Sequence, residues 1–139
     1  MDGLKILSEF HLANGIPFAK FTINNMFAIF VLDTGCGESM IDVSALSQVA
    51  PDSIIAESST QYVGIELKPQ SSIRKINLDL KLNNLSFNQT FNIMDLTKMF
   101  SSYKCDSPNT IIAGLIGGDF FIQNKVVIDY DKNQFYIFD

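Results

Sequence analysis

Fifteen acidic side chains, one histidine and two cysteines are what this chain offers for chemistry. Cys36 and Cys105 form no C-x-x-C pair, and with His11 alone they are too few for a zinc site, so no metal is expected. A serine or cysteine nucleophile would want a histidine base. His11 lies near the N-terminus with no motif around it and reads as a structural or surface residue. The chemistry must then run mainly on carboxylates. One of them is placed for it: in FAIFVLDTGCGESM, residues 27–40, an apolar run ends in Asp33 and opens into a turn of small residues.

Two chemistries fit that turn. VLDTGCGES resembles the first motif of Rossmann-like methyltransferases, in which a strand runs into a glycine loop that approaches S-adenosylmethionine. Glu66 in QYVGIELKP would then bind the ribose hydroxyls. The loop lacks a third glycine for close helix packing, since Gly37 is followed by Glu38-Ser39-Met40. The other chemistry is acid–base work by paired carboxylates. Asp33 would supply the carboxylate, and Gly35 would permit close backbone approach and unusual dihedrals. The Thr34 hydroxyl could hydrogen-bond across to a second copy of the loop. A single carboxylate cannot donate and accept at once, whereas two sharing a site titrate apart, one protonated and one ionised. The chain carries one Asp-Thr-Gly, so the second Asp33 must come from a second chain in a symmetric homodimer.

The elements that must position this turn are mostly strands. Residues 16–23 and 26–32 are rich in β-branched and aromatic types and flank Asn24-Asn25, a hairpin turn. In 75–82, Ile76, Leu78, Leu80 and Leu82 alternate with Lys75, Asn77, Asp79 and Lys81, the pattern of a half-buried strand. Asn83-Asn84 turns the chain into 85–94, and 126–130 and 134–138 flank a hairpin at Asp131-Lys132-Asn133. Helix signals are confined to 42–49, where Asp42 is the N-cap and Pro51 the stop, to 118–123, and to a single turn at 96–101. A doubly wound sheet needs longer helices between its strands than these. The 139 residues read as one mostly-β domain, 1–139, with no repeat or linker.

The chain resembles the retropepsin-like aspartic proteases, single-lobe homodimeric relatives of pepsin. Two stretches carry the resemblance: FAIFVLDTGCGESMID, residues 27–42, and IIAGLIGGDFFIQNKVVIDYDKNQFYIF, residues 111–138. It implies a closed acid-protease barrel and an aspartic endopeptidase with Asp33 from each chain activating a water. Thr34, Gly35 and Cys36 would form the loop. Leu115, Ile116 and Gly117 would pack beneath it. A flap would cover an extended peptide, best placed at 60–72 with Val63, Gly64 and Ile65 against substrate. In this family terminal strands often make the dimer contact, and residues 1–10 are available for that. A non-catalytic dimeric barrel that only binds peptides is the further alternative.

The surrounding residues are read more plainly. Cys36 stands where the family usually has Ala or Ser; it reads as a buried small hydrophobe, with a redox role as the rival. Glu38 is expected to point outward, Asp119 to cap a short helix, and Asp129 to serve the last hairpin. A net charge of −5 without a Lys/Arg cluster argues against nucleic acid or an anionic membrane as partner. No stretch has the length of a transmembrane helix and the N-terminus lacks a signal-peptide core, so a cytoplasmic location is expected.

Overall fold

Apolar residues recurring at every second position make strands, and the order in which those strands pair decides where the Asp33 turn sits. The computed structural model describes residues 3–52, 56–57, 74–101 and 111–138. Its elements are β1 (Leu4–Glu9), β2 (His11–Ala13), β3 (Ile16–Ile23), β4 (Met26–Leu32), β5 (Met40–Asp42), α1 (Val43–Val49), β6 (Ala56–Glu57), β7 (Arg74–Leu82), β8 (Leu85–Met94), α2 (Thr97–Phe100), β9 (Ile111–Ile116), α3 (Gly118–Gln123), β10 (Val127–Asp129) and β11 (Gln134–Phe138). Eight strands form one sheet in the order β2-β3-β4-β9-β5-β8-β7-β6. Thr22 of β3 also pairs with Lys81 of β7, closing β3-β4-β9-β5-β8-β7 into a six-stranded barrel. The mostly-β closed barrel with short helices is the expected class.

Hairpins come from residues that tolerate left-handed backbone. Asn24 and Asn25 have φ of 49° and 65°, the primed turn that matches strand twist, and β3 and β4 run antiparallel from it. Asn14-Gly15, with φ of 53° and 77°, makes the same turn between β2 and β3. The alternation at 75–82 is realised: Ile76, Leu78, Leu80 and Leu82 are buried and Asn77, Asp79 and Lys81 exposed. On the outer face Thr90 donates to Asn77 and Asn88 to Asp79, a polar ladder facing water.

β9 is the strand that organises the site. It lies between β4 and β5, parallel to the first and antiparallel to the second. Residues 33–39 must therefore arch over the end of β9 to link its two neighbours. A Cβ at Gly114 would run into the backbone oxygen of Met40, so glycine there lets β5 approach β9 closely.

Inside the barrel, Phe21, Phe30, Phe91, Phe120 and Phe135 are fully buried. Phe30 meets Phe21 edge-on at 5.3 Å and stacks on Phe91 at 5.4 Å, both favourable ring geometries. Phe120 carries α3 into this core, with Phe87 at 5.3 Å and Phe21 at 6.3 Å. A second sheet, β1-β11-β10, joins the two ends of the described chain. A bulge between Ile6 and Ser8 lets Leu7 turn into the core. α1 begins as expected at Asp42, whose carboxylate accepts from the Ser44 and Ala45 backbone N–H groups. Among the described residues no helix is long and apolar enough to cross a membrane.

Candidate active site

Asp33 follows directly on the last residue of β4, and its own N–H donates to the Ile116 carbonyl at 2.9 Å. That bond continues the β4–β9 pairing one residue past the strand and aims the Asp33 side chain off the barrel's end. The carboxylate is partly exposed; its Oδ1 accepts from the Gly35 N–H at 3.0 Å, and the Asp33 carbonyl accepts from Cys36 N–H at 3.2 Å. A Cβ on Gly35 would lie 3.3 Å from Asp33 Oδ1. Gly35 thus gives room for the carboxylate. The unusual dihedrals expected of it are not found: the positive-φ glycines among the described residues are Gly3 and Gly15. Thr34 is exposed at the loop's tip.

Residues 116–119 form the floor of the loop. Gly118 N–H donates to the Cys36 carbonyl at 2.7 Å and Asp119 N–H to the Gly37 carbonyl at 3.0 Å. Gly117 N–H donates to Ser39 Oγ at 2.9 Å. Gly117 has no space for a side chain, since a Cβ would lie 2.5 Å from the Cys36 oxygen and 3.0 Å from Glu38 C. Ile116 meets the loop by its carbonyl and Gly117 by its N–H and its smallness. Leu115 stands in a row with Val31 and Met40 across β4, β9 and β5. The core-facing residues of β4 are Ala28, Phe30 and Leu32, so Val31 alternates to the opposite face. This apolar row adjoining Asp33 was not read in the sequence, because only the register of β9 assembles it.

Cys36 is half-buried and its thiol donates to the Glu38 carbonyl at 3.0 Å. Burial, followed by the negative charges of Asp33, Asp119 and Glu38, raises its pKa above the ordinary 9.0, while the Glu38 contact pulls the other way. The thiol is thus kept protonated, which suits a small packing residue better than a reactive one. Glu38 is exposed and its carboxylate accepts from Asn92 Nδ2 at 2.6 Å. Asp129 closes the β10–β11 turn by accepting from Asp131 and Lys132 backbone N–H groups.

Asp119 lies in the first turn of α3 but is not the cap expected of it, since the N-cap is Gly117 and no side chain caps the helix. Its Oδ1 accepts from Ser39 Oγ at 2.7 Å and Phe120 N–H at 2.8 Å. Its Oδ2 accepts from Ser39 N–H at 3.0 Å and Gln89 Nε2 at 2.9 Å. Ser39 and Gln89 are both buried. One carboxylate thus joins α3, β8 and the Asp33 loop.

Val63, Gly64, Ile65, Glu66 and Cys105 lie outside the described residues. After the Asp33 turn the chain enters β5 and only then α1, so the strand–glycine loop–helix unit of the methyltransferase reading is not formed. Among the described residues no three His, Cys, Asp or Glu side chains gather as a metal site requires.

No family model matches the sequence, and no curated protein does. Solved structures do. EIAV protease complexed with the inhibitor HBY-793 superposes with a TM-score of 0.56 at 13% identity, over 81% of this chain and 91% of that one. The retroviral protease-like domain of Ddi1 from Leishmania major gives 0.60 at 15% identity, over 86% of each chain. A retropepsin-like aspartic protease from Rickettsia conorii gives 0.54 at 14%, over 97% of this chain and 89% of that one. With the barrel closed and Asp-Thr-Gly arched over the end of its inserted strand, the chain has the retropepsin-like aspartic-protease fold.

Proposed function

We propose that residues 1–139 form a single aspartic endopeptidase domain that works as a homodimer and hydrolyses extended peptides in the cytoplasm. The observation that carries this is Asp33, partly exposed on a loop pinned at four places to 116–119, in a chain whose fold neighbours are aspartic proteases.

In the dimer, Asp33 of each chain faces its twin near the two-fold axis. Like-charge repulsion splits their titration, so one carboxyl keeps a proton that the other has lost. The ionised one takes a proton from a water held between them, and the water oxygen attacks the peptide carbonyl carbon. The protonated one donates toward the carbonyl oxygen. Proton return to the amide nitrogen then breaks the C–N bond, without metal or covalent intermediate. Thr34 hydrogen-bonds across the axis and Gly35 leaves room for the Asp33 carboxylate. Cys36 packs the loop, and Leu115, Ile116 and Gly117 support it from below. Val63, Gly64 and Ile65 cover the peptide, whose main chain is read by hydrogen bonds.

The test is digestion of a peptide library by wild type and Asp33→Asn from acidic to neutral pH, with sedimentation of both. Cleavage by wild type alone, with both proteins dimeric, is the expected result. Equal cleavage by Asp33→Asn would overturn the assignment. Dimeric wild type that binds peptides and cleaves none at any pH would mark a binding barrel instead.

A further inference from the structure

Asp119 is a charged group that the proposed chemistry does not use. Four donors converge on its carboxylate, and each is neutral: Ser39 Oγ, Ser39 N–H, Phe120 N–H and Gln89 Nε2. An ionised carboxylate is acceptor-only with room for about four such bonds, so its capacity is filled. Ser39 is equally committed. Its hydroxyl proton goes to Asp119 and its oxygen accepts from Gly117 N–H, and the residue is 0% exposed. Gln89 Nε2 also donates to the Thr90 carbonyl at 2.9 Å, so turning its amide over would cost that bond as well as the one to Asp119.

The mechanical setting is as specific. α3 is anchored to the barrel core by Phe120, also 0% exposed, the residue next to Asp119. Ser39 ends the Asp33 loop, one residue before β5 begins. Two side-chain bonds from Ser39 to Asp119 therefore clamp the loop's far end to a part of the molecule that cannot easily shift. The near end is held by the Asp33 N–H on Ile116.

We propose that Asp119 is the positioning residue of the Asp33 loop, acting through Ser39 and Gln89 to determine where the Asp33 carboxylate lies. The effect on turnover rests on the peptidase reading; the clamp itself does not. In Asp119→Asn the amide nitrogen must face donors on one side, which breaks up to two bonds and frees the loop. Adding Gln89→Glu gives that amide an acceptor at the Gln89 position and restores that one bond, while giving up the one Gln89 Nε2 makes to the Thr90 carbonyl.

Cys36 reports on the loop without any need for catalysis. In a Cys105→Ser background it is the only thiol, and its modification by an aromatic disulfide, with each variant's rate divided by the thiolate fraction from its own pH–rate profile, measures loop opening apart from the loss of the Asp119 charge. Asp119→Asn is expected to speed that reaction about tenfold, the factor that losing one to two hydrogen bonds makes in an opening equilibrium. Asp119→Asn/Gln89→Glu should recover part of the loss. Ser39→Ala, a smaller change should the first variant fold poorly, should act in the same direction. On a cleaved peptide, kcat should fall by about 10² with KM little changed, because loop placement touches the reacting groups more than the binding surface. Folded Asp119→Asn and Ser39→Ala that label at the wild-type rate would overturn the proposal. So would a double variant that is no slower in labelling than Asp119→Asn. If labelling follows the expected pattern and no variant or wild type cleaves peptides, the clamp stands and the peptidase reading falls.

Discussion

Gly117→Ala separates steric necessity from conformational preference at the candidate site. The backbone of Gly117 has φ −106° and ψ −171°, which any residue adopts, so alanine adds no backbone strain. What it adds is a methyl group whose carbon would lie 2.5 Å from the Cys36 oxygen, 3.0 Å from Glu38 C and 3.2 Å from Glu38 O. Comfortable separation is about 3.5 Å, so the loop must withdraw by as much as about 1 Å. All three obstacles are backbone atoms, which cannot rotate away. A withdrawal of that size also stretches Gly118 N–H to Cys36 O, now 2.7 Å, and Asp119 N–H to Gly37 O, now 3.0 Å. Overpacking costs about 1–3 kcal/mol and each weakened hydrogen bond about 1, giving about 2–4 kcal/mol. At a urea m-value of about 2 kcal/mol/M the unfolding midpoint falls by roughly 1–2 M. Gly37→Ala is the control: the same loop, no positive φ, and nothing within 4 Å of the added carbon. Its expected change lies within about 0.5 kcal/mol. Equal midpoints for the two variants would refute this account of the loop floor.

Two predictions concern groups away from Asp33. The Asp42 carboxylate, 7% exposed, accepts from Ser44 N–H and Ala45 N–H at 3.1 Å and from Leu96 N–H at 2.8 Å. Asp42→Ala therefore loses a helix cap and strands a buried donor, roughly 2–4 kcal/mol in urea unfolding, whereas a loss below about 0.5 kcal/mol would show the three bonds to be dispensable. Asp129 has its pKa lowered, first by the Lys132 backbone N–H and further by Asp131 N–H and the Tyr136 hydroxyl, against a smaller opposing effect of burial. A depressed folded pKa means stability that is present above the unfolded value, about 4, and is lost as pH falls through the folded one. The stability gap between wild type and Asp129→Asn should accordingly narrow as unfolding is measured from pH 5 down to the acid limit; a gap that stays constant would show that the charge is not what the turn uses.

Where local pattern decides structure, the sequence was legible. The bounds of β3, β4, β8, α3 and β11 follow from runs of apolar residues and the turns between them. β7 begins one residue earlier than read, at Arg74, and the 126–130 strand is shorter, Val127–Asp129. Asn14-Gly15 is a strong hairpin signal, but β2 puts only three residues before it, too few to show a strand pattern. β5, three residues long, and β9 show no strand pattern in the sequence either. Gly114 breaks the apolar run of β9, and its pairing partners lie far off in the chain. Asp33 itself was readable because a carboxylate at the mouth of a strand needs no partner to be noticed.

Its supports were legible in part only, for a physical reason. Cys-Gly-Glu-Ser and Leu-Ile-Gly-Gly-Asp-Phe are about eighty residues apart, and nothing local in either states that the two interlock. Gly35 and Gly37 look alike in DTGCG, yet one lies against a carboxylate and the other faces open space. Asp119 at the start of a helix suggests a cap, yet the N-cap is Gly117, and the one local bond Asp119 accepts is from the N–H of its neighbour Phe120. Three of its four bonds go elsewhere, because β9 lies between β4 and β5 and so delivers α3 beneath the loop that joins them. Insertion of one strand between two consecutive ones thus turns a first-turn carboxylate into a long-range clamp. Any fold that crosses a loop over an inserted strand needs some group beneath to hold that loop, and here the group is a carboxylate matched to four donors.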